Sequence, residues 1–167
     1  MADKPDADQI KDLERSAKNV NWYLFAISLV SLVVSVWLAI YGPGMTDALW
    51  WGVVLSISSG VLGSAVAALQ SAQERRANGW EVSNGTKYPK EQPPDKFNAG
   101  MVPRFYARPF LGAVTGAVFY FGAPTAFGLG PAVQTDPGRL AFWSFVVGIL
   151  AKTFLETLKD LFKKLGK

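Results

Sequence analysis

The positively charged residues of this chain are confined to a few of the segments that flank its apolar runs. Four apolar runs divide the sequence, at Trp22–Tyr41, Ala48–Leu69, Pro109–Leu129 and Leu140–Leu155. Sixteen of the seventeen Lys and Arg residues lie before the first run, between the second and the third, or from Lys152 onwards. Lys and Arg close to a helix end resist translocation across a bilayer. The pattern therefore predicts four membrane crossings, with both termini and the long middle segment in the cytoplasm.

The first two runs determine the predicted fold class. Each lacks charged residues, and each is long enough to cross a hydrocarbon core of about 30 Å as a helix, which takes roughly 20 residues. Five acidic residues precede the first run, so we expect an uncleaved span there and not a signal peptide. We predict an all-α integral membrane protein, a four-helix bundle in the inner (cytoplasmic) membrane with amphipathic helical extensions at both ends.

Composition divides the chain into five segments. Residues 1–19 are predicted to form a cytoplasmic amphipathic segment, 20–78 a transmembrane hairpin, 79–108 a Pro-rich cytoplasmic loop, 109–155 the third and fourth spans, and 156–167 a basic amphipathic cytoplasmic tail. The hairpin is expected because helices joined by so short a connection pack as antiparallel neighbours.

Turn and capping residues predict where the helices end. Gly42 and Pro43 cannot continue the first helix, and Asn78 followed by Gly79 is typical of a glycine-terminated second helix. Asp136 followed by Pro137 has the form of an N-cap with Pro at the first helical position. Pro124 lies within the third run and predicts a kink in that helix.

The chain contains no Cys and no His. Their absence removes disulfides, thiolate nucleophiles, the usual zinc and iron ligands, and the side chain best suited to proton transfer near neutral pH. No base accompanies any serine of the spans. We therefore expect no enzyme activity, no cofactor and no metal site. Cytoplasmic basic residues that face anionic lipid account for the net charge of +4, so we expect no nucleic-acid binding.

Small residues recur every four positions in the second run. They form a flat ridge along one helix face, comprising Gly52, Ser56, Gly60, Ser64 and Ala68, and the third run repeats the pattern at Gly112 and Gly116. Such ridges let helix backbones approach closely in lipid, where burial of apolar surface gains little. They indicate helix packing within one subunit or contact between subunits. Because every span carries small residues, we predict a homo-oligomer.

Serine hydroxyls are concentrated in the first hairpin. The candidates for a pore lining are Ser28, Ser31, Ser35, Ser56 and Ser64. One interpretation is a weakly polar pathway at the axis of an oligomer, and the other is that each hydroxyl bonds to the backbone of its own helix. The four spans carry no ionisable residue at mid-membrane depth, which argues against an ion-coupled transporter.

Basic residues gather where the spans meet the cytoplasm. The set comprises Arg75, Arg76, Lys152, Lys163 and Lys164. We expect these side chains to contact the anionic headgroups of the lipid bilayer or a cytoplasmic protein partner.

In the segment from Arg108 to Gly116, an Arg-Pro pair opens a glycine-spaced helix with the pattern Arg-Pro-x-x-Gly-Ala-x-x-Gly. It resembles a segment of a loose class of small bacterial four-helix membrane proteins of unassigned function. The resemblance implies a bacterial source and no particular activity. The layout is also similar to that of membrane subunits of bacterial antiphage systems, which implies a role in a defence or stress system.

Two functions are compatible with these features. The first is an oligomeric pore- or channel-like membrane component that is regulated through its cytoplasmic segments. The alternative is a non-conducting membrane scaffold or accessory subunit, in which residues 79–108 and 154–167 dock a soluble cytoplasmic partner. Measurement of ion flux through the purified protein separates the two.

Overall fold

A computed structural model describes residues 7–44, 48–80, 96–124, 128, 130, 132–151 and 153. Within these ranges the secondary structure is helical, apart from one isolated bridge that pairs Trp80 with Phe97. The α-helices are α1 (Ala7–Tyr41), α2 (Ala48–Ala77), α3 (Val102–Gly122), α4 (Ala132–Thr135) and α5 (Pro137–Ile149). Short 3₁₀ turns at Gly42–Gly44 and Ala99–Met101 follow α1 and precede α3. The predicted all-α class is thus confirmed for the described residues.

Two of these helices are long and apolar enough to cross a membrane. They are α1 with the turn that follows it, Ala7–Gly44, and α2 over Leu49–Ala77. The other helices are shorter or more polar. Helix α5, with 13 residues, extends over only about 20 Å, less than the roughly 30 Å of a hydrocarbon core.

Helix α2 lies at the centre of the bundle and packs against α1, α3 and α5. In its most apolar stretch 56% of the residues are buried, against 22% in that of α1. The two helices are antiparallel neighbours, since Ser35 of α1 bonds to Ser58 of α2 while Gly42, just after α1, contacts Trp51 near the start of α2. Helix α1 is therefore a peripheral helix whose apolar side chains lie mostly on the outside.

Large apolar side chains form a cluster at each end of the bundle. The inner cluster, at the end that holds the N-terminal part of α1, comprises Leu13, Ala17, Val20, Leu24, Ala68, Ala72, Phe97, Met101 and Phe105. The outer cluster comprises Leu38, Trp51, Leu55, Phe119, Tyr120, Ala123, Val133, Leu140 and Val147. Between the two clusters the helices meet through small residues.

The predicted N-terminal amphipathic segment and the first predicted span form one unbroken helix. Helix α1 has 35 residues and is about 52 Å long, which exceeds the thickness of a hydrocarbon core by about 20 Å. The apolar stripe of its first turns, at Leu13, Ala17 and Val20, is buried in the inner cluster. This stripe therefore packs within the chain and is not left for the membrane surface.

Two predicted helix ends agree with the structure. Helix α2 stops at Ala77, and Gly79 has a φ of +101°, the left-handed conformation that terminates helices at glycine. Asp136 caps α5, because its Oδ1 accepts hydrogen bonds from the backbone N–H groups of Gly138 at 2.9 Å and Arg139 at 3.1 Å.

Helix α3 differs from the prediction at both ends. It begins at Val102, inside the segment that was predicted to be loop, with Pro103 in its first turn and Pro109 in its interior. It ends at Gly122, so Pro124 lies in the turn after the helix and produces no kink. The reason is that proline has no N–H to continue the hydrogen-bond ladder and restricts the residue before it.

Several predictions fall on residues outside the described ranges. They concern the N-terminal residues 1–6, the middle part 81–95 of the predicted cytoplasmic loop, and the tail 156–167 with Lys163 and Lys164. Lys152 is also outside them.

Candidate functional site

The small face of α2 contacts the backbones of two other helices. A Cβ atom added to Gly60 would collide with the carbonyl oxygen of Gly112 on α3, and one added to Gly112 or Gly148 would collide with the carbonyl oxygen of Gly60. Gly116 stands in the same relation to the carbonyl of Ser56. Only glycine permits this approach, since any side chain would separate the helices.

The remaining ridge positions also face inward. A Cβ on Gly52 would lie 2.7 Å from the ring of Tyr120, and one on Gly63, which lies beside the ridge, would collide with the carbonyl oxygen of Phe145. Ala68 is fully buried in the inner cluster. Every position of the predicted ridge is therefore part of a packing surface within one chain. Contacts between subunits, which were expected from the sequence at this ridge, would have to use other surfaces.

Serine hydroxyls occupy the same layer as these glycines. Ser56 is the most connected: its Oγ lies 2.7 Å from the carbonyl oxygen of Gly116, to which it donates, and 2.6 Å from the Oγ of Ser144. One side chain of α2 is thereby bonded to both α3 and α5. We call this region the glycine–serine layer; it comprises Ser35, Ser56, Ser58, Ser59, Gly60, Gly63, Ser64, Gly112, Gly116, Ser144 and Gly148.

A second group of hydroxyls joins α1 to α2. The Oγ atoms of Ser35 and Ser58 lie 2.9 Å apart, and Ser59 donates to Ser35 at 3.2 Å. Toward the inner end, Ser64 donates to the carbonyl oxygen of Arg108 at 2.6 Å, which ties α2 to α3. Each of these bonds links two different helices, so the hydroxyls do more than bond back along their own helix.

The two other predicted pore residues lie on α1. Ser28 donates to the carbonyl oxygen of Leu24 one turn earlier, at 2.8 Å, which is the usual hydrogen bond of a serine within its own helix. Ser31 is buried. Thus Ser31, Ser35, Ser56 and Ser64 face the interior of a single chain.

The outward surface of the bundle has the opposite chemistry. Its middle carries large exposed apolar side chains on all four long or medium helices, which we call the apolar belt: Phe25, Leu29, Val30, Val33, Val36, Trp37, Ile40, Val54, Val66, Phe110, Val114, Val118, Phe142 and Ile149. Charged residues of the described ranges lie beyond it, on the first turns of α1, at the end of α2, around the start of α3, and near Asp136.

Basic residues at the inner end have different surroundings. Arg75 donates from Nη1 to the Sδ of Met101 at 3.2 Å, so this guanidinium packs on the inner cluster. The Arg108 guanidinium lies 5.7 Å from the ring centroid of Phe105. Burial, together with repulsion from Arg75, lowers the pKa of Arg108. Arg76 is exposed and points to a different surface.

That surface is an open groove of about 330 Å³ between α1 and α2. It is lined by Lys18, Asn21, Trp22, Phe25, Leu69, Gln73 and Arg76. Only Arg76 was identified from the sequence. Lys18 and Asn21 carry no motif signal, because their relation to Arg76 depends on how α1 packs on α2. Ser144, by contrast, stands four residues before Gly148, and that small-residue spacing marks α5 as a packing helix.

Comparison of the chain with protein-family models, with curated proteins and with solved structures finds no match. In the ranges that the structure describes, no group of three or more His, Cys, Asp or Glu residues is placed to hold a metal ion. The candidate sites are therefore the glycine–serine layer, the apolar belt and the groove at the inner end.

Proposed function

We propose that the chain is a multi-pass integral protein of a bacterial inner membrane that acts as a non-conducting scaffold or accessory subunit for a soluble cytoplasmic partner. Its four helices α1, α2, α3 and α5 would lie in the bilayer, with both termini in the cytoplasm. The observation that carries the proposal is the reversal of polarity: hydroxyl groups bond to one another inside the bundle, and the outside is an uncharged apolar belt.

The apolar belt supports membrane insertion. Helix α1 leaves most of its apolar surface uncovered, and side chains such as Ile40 and Val30 are more than 60% exposed. A continuous apolar surface of this size is unfavourable in water and favourable in lipid. The basic residues at the inner end favour the cytoplasmic side for that end.

The hydrogen bonds of the glycine–serine layer support the non-conducting role. A water-filled pathway needs polar groups that are free to solvate an ion. Here Ser35, Ser56 and Ser64 are bonded to other groups of the same chain. Glycine backbones in contact leave no passage between α2, α3 and α5. An oligomer of such bundles would place the apolar belt, and not the serines, at its axis.

The proposal assigns no catalytic role to the chain. The serines of the layer have no His beside them to act as a base, because the chain has none. What the fold offers to a partner is the cytoplasmic end of the bundle and the segments attached to it.

The proposed docking segments are residues 81–95 and 154–167. The residues that flank the first segment are adjacent, since the backbone N–H of Phe97 donates to the carbonyl of Gly79 at 3.0 Å and the rings of Trp80 and Phe97 are 5.7 Å apart. Residues 82–94 can therefore be replaced by a short Gly-Ser linker without separating the groups that join α2 to α3.

The test uses purified full-length protein and this linker variant. In liposomes with a potassium gradient, both are expected to give no flux above protein-free vesicles at any applied voltage. Reproducible conductance by the full-length protein would contradict the non-conducting scaffold proposal and would favour the pore-like function. A cytoplasmic protein is expected to co-purify with the full-length chain and to be lost from the linker variant, while the two show the same thermal unfolding midpoint. Retention of that protein by the linker variant would remove 82–94 as the docking segment.

A further inference from the structure

The groove between α1 and α2 lies where both helices change from apolar to charged. On α1 the last charged residue before the apolar stretch is Lys18, and on α2 charges resume after Leu69 with Glu74. The groove therefore has a polar rim, formed by Lys18 and Arg76, and an apolar floor. If the chain inserts as proposed, this is the level of the headgroups.

The rim is positively charged. Lys18 and Arg76 both line the groove, and the lining contains no acidic residue. In the part of the chain that the structure describes, neither of the two forms an ion pair. A phosphate between them would receive charge-assisted hydrogen bonds from both.

The floor is apolar and open. Trp22 is 63% exposed and Phe25 is 52% exposed, and Leu69 completes the lining on the α2 side. Trp22 and Phe25 pack edge to face, with ring centroids 6.0 Å apart, so they present a continuous surface along α1. Such a surface matches a hydrocarbon chain that runs along the helix from the phosphate.

Asn21 also lines the groove. Its side-chain oxygen is fully buried and has no hydrogen-bond partner among the described residues, so a molecule in the groove does not reach that oxygen.

We propose that this groove binds one anionic glycerophospholipid of the inner leaflet, such as phosphatidylglycerol. The phosphate lies between Lys18 and Arg76, and one acyl chain follows Trp22 and Phe25. Basic pockets between membrane helices on the cytoplasmic side recognise anionic lipids in this way. The inference rests on the proposed membrane insertion.

The experiment is native mass spectrometry of the full-length protein in detergent, titrated with phosphatidylglycerol or with phosphatidylcholine. We expect one tightly bound phosphatidylglycerol and weaker binding of phosphatidylcholine. The variant K18Q/R76Q is expected to bind phosphatidylglycerol about thirtyfold more weakly, since each basic residue near an anionic surface contributes roughly fivefold.

The matched control is K11Q/K96Q. It removes the same charge from exposed residues at the same end of the bundle but outside the groove lining. It is expected to keep the affinity of the unmodified chain. Equal weakening by both double variants would overturn the groove as a specific site, as would equal affinity of the unmodified chain for the two lipids.

Two further arms separate the alternatives. Inorganic phosphate at millimolar concentration is expected not to displace the lipid; displacement would assign the rim to free phosphate and overturn the lipid assignment. Carbonate washing of membranes tests insertion independently. A chain that stays in the membrane but lacks the lipid preference overturns only the groove, whereas a chain that is washed out overturns the membrane proposal and the groove with it.

Discussion

In the glycine–serine layer, helices α2, α3 and α5 meet through backbone and hydroxyl groups, whereas in the inner cluster α1, α2 and α3 are joined by aromatic and large aliphatic side chains. Gly60, Gly112 and Gly148 illustrate the first kind of contact, and the stacked rings of Phe97 and Phe105, 6.0 Å apart, the second. Both regions join α2 to α3, and they differ in the kind of interaction that joins them.

The difference corresponds to the solvent expected around each region. In lipid, transfer of apolar side chains from solvent to protein gains little, so close approach and interhelical hydrogen bonds must supply the stability. In water, burial of large apolar side chains is the dominant favourable contribution. The glycine–serine layer has the composition of a packing surface in a bilayer. The inner cluster has the composition of a core that is stabilised in water. This supports the proposed position of the bundle in the membrane.

The largest expected effect is that of Gly60→Leu. Its side chain would meet backbone atoms of α3 and α5, which cannot move aside as a flexible side chain could. We expect a loss of at least about 3 kcal/mol of stability, enough to prevent recovery of a folded bundle. Thermal unfolding in detergent, followed by circular dichroism, measures it. Gly44→Ala, at a glycine with nothing within 4 Å, is the control and should leave the midpoint unchanged.

The second prediction concerns the inner cluster. Phe97 is fully buried, and Phe97→Ala is expected to lower the free energy of unfolding by about 3–4 kcal/mol. Phe110→Ala removes the same atoms from a residue of the apolar belt that is 70% exposed, and in a bilayer it should cost less than about 1 kcal/mol. Denaturant titration in mixed micelles, followed by tryptophan fluorescence, compares them. Equal losses for the two would contradict the division between a water-stabilised end and a lipid-facing belt.

The third prediction, with the smallest expected effect, compares two serines that differ in whether their hydroxyl bonds to another helix. Ser56→Ala removes hydrogen bonds to α3 and α5 and is expected to cost about 1 kcal/mol. Ser28→Ala, whose hydroxyl bonds only to Leu24 of its own helix, should cost nothing measurable. A double-mutant cycle of Ser56 with Ser144 isolates the contact between α2 and α5. Additive effects of the two changes would mean that this hydroxyl pair contributes nothing.

Local signals in the sequence predicted some helix ends correctly. Gly79 marks a helix end because glycine adopts the positive φ that the residue after a helix needs. Asp136 marks a helix start because its carboxylate lies next to the free N–H groups of the first turn. In both cases the residues involved are neighbours in the chain. The ridge on α2 was also visible as a four-residue spacing. The two helices that are long and apolar enough to cross a membrane could be predicted from the lengths of the first two apolar runs.

Features that depend on distant contacts could not be predicted. The third predicted span began at Pro109, and a proline inside a helix costs about 3 kcal/mol. Helix α3 nevertheless runs through it, and Phe105, one turn before Pro109, is buried in the inner cluster with Phe97. The serines were likewise ambiguous: spacing placed them on helices but did not show that Ser56 faces Ser144, a residue 88 positions later.

Helix α1 has one property that concerns motion. Its residues from Ala7 to Tyr41 include neither Gly nor Pro, the residues at which sharp bends usually occur, and the helix runs unbroken from the inner cluster to the turn at Gly42. A rod of this kind transmits tilt instead of absorbing it. In the proposed orientation, a partner that pulls on the N-terminal end of α1 would therefore displace Tyr41 and the turn at Gly42 at the same moment, so the helix would act as a lever across the bilayer.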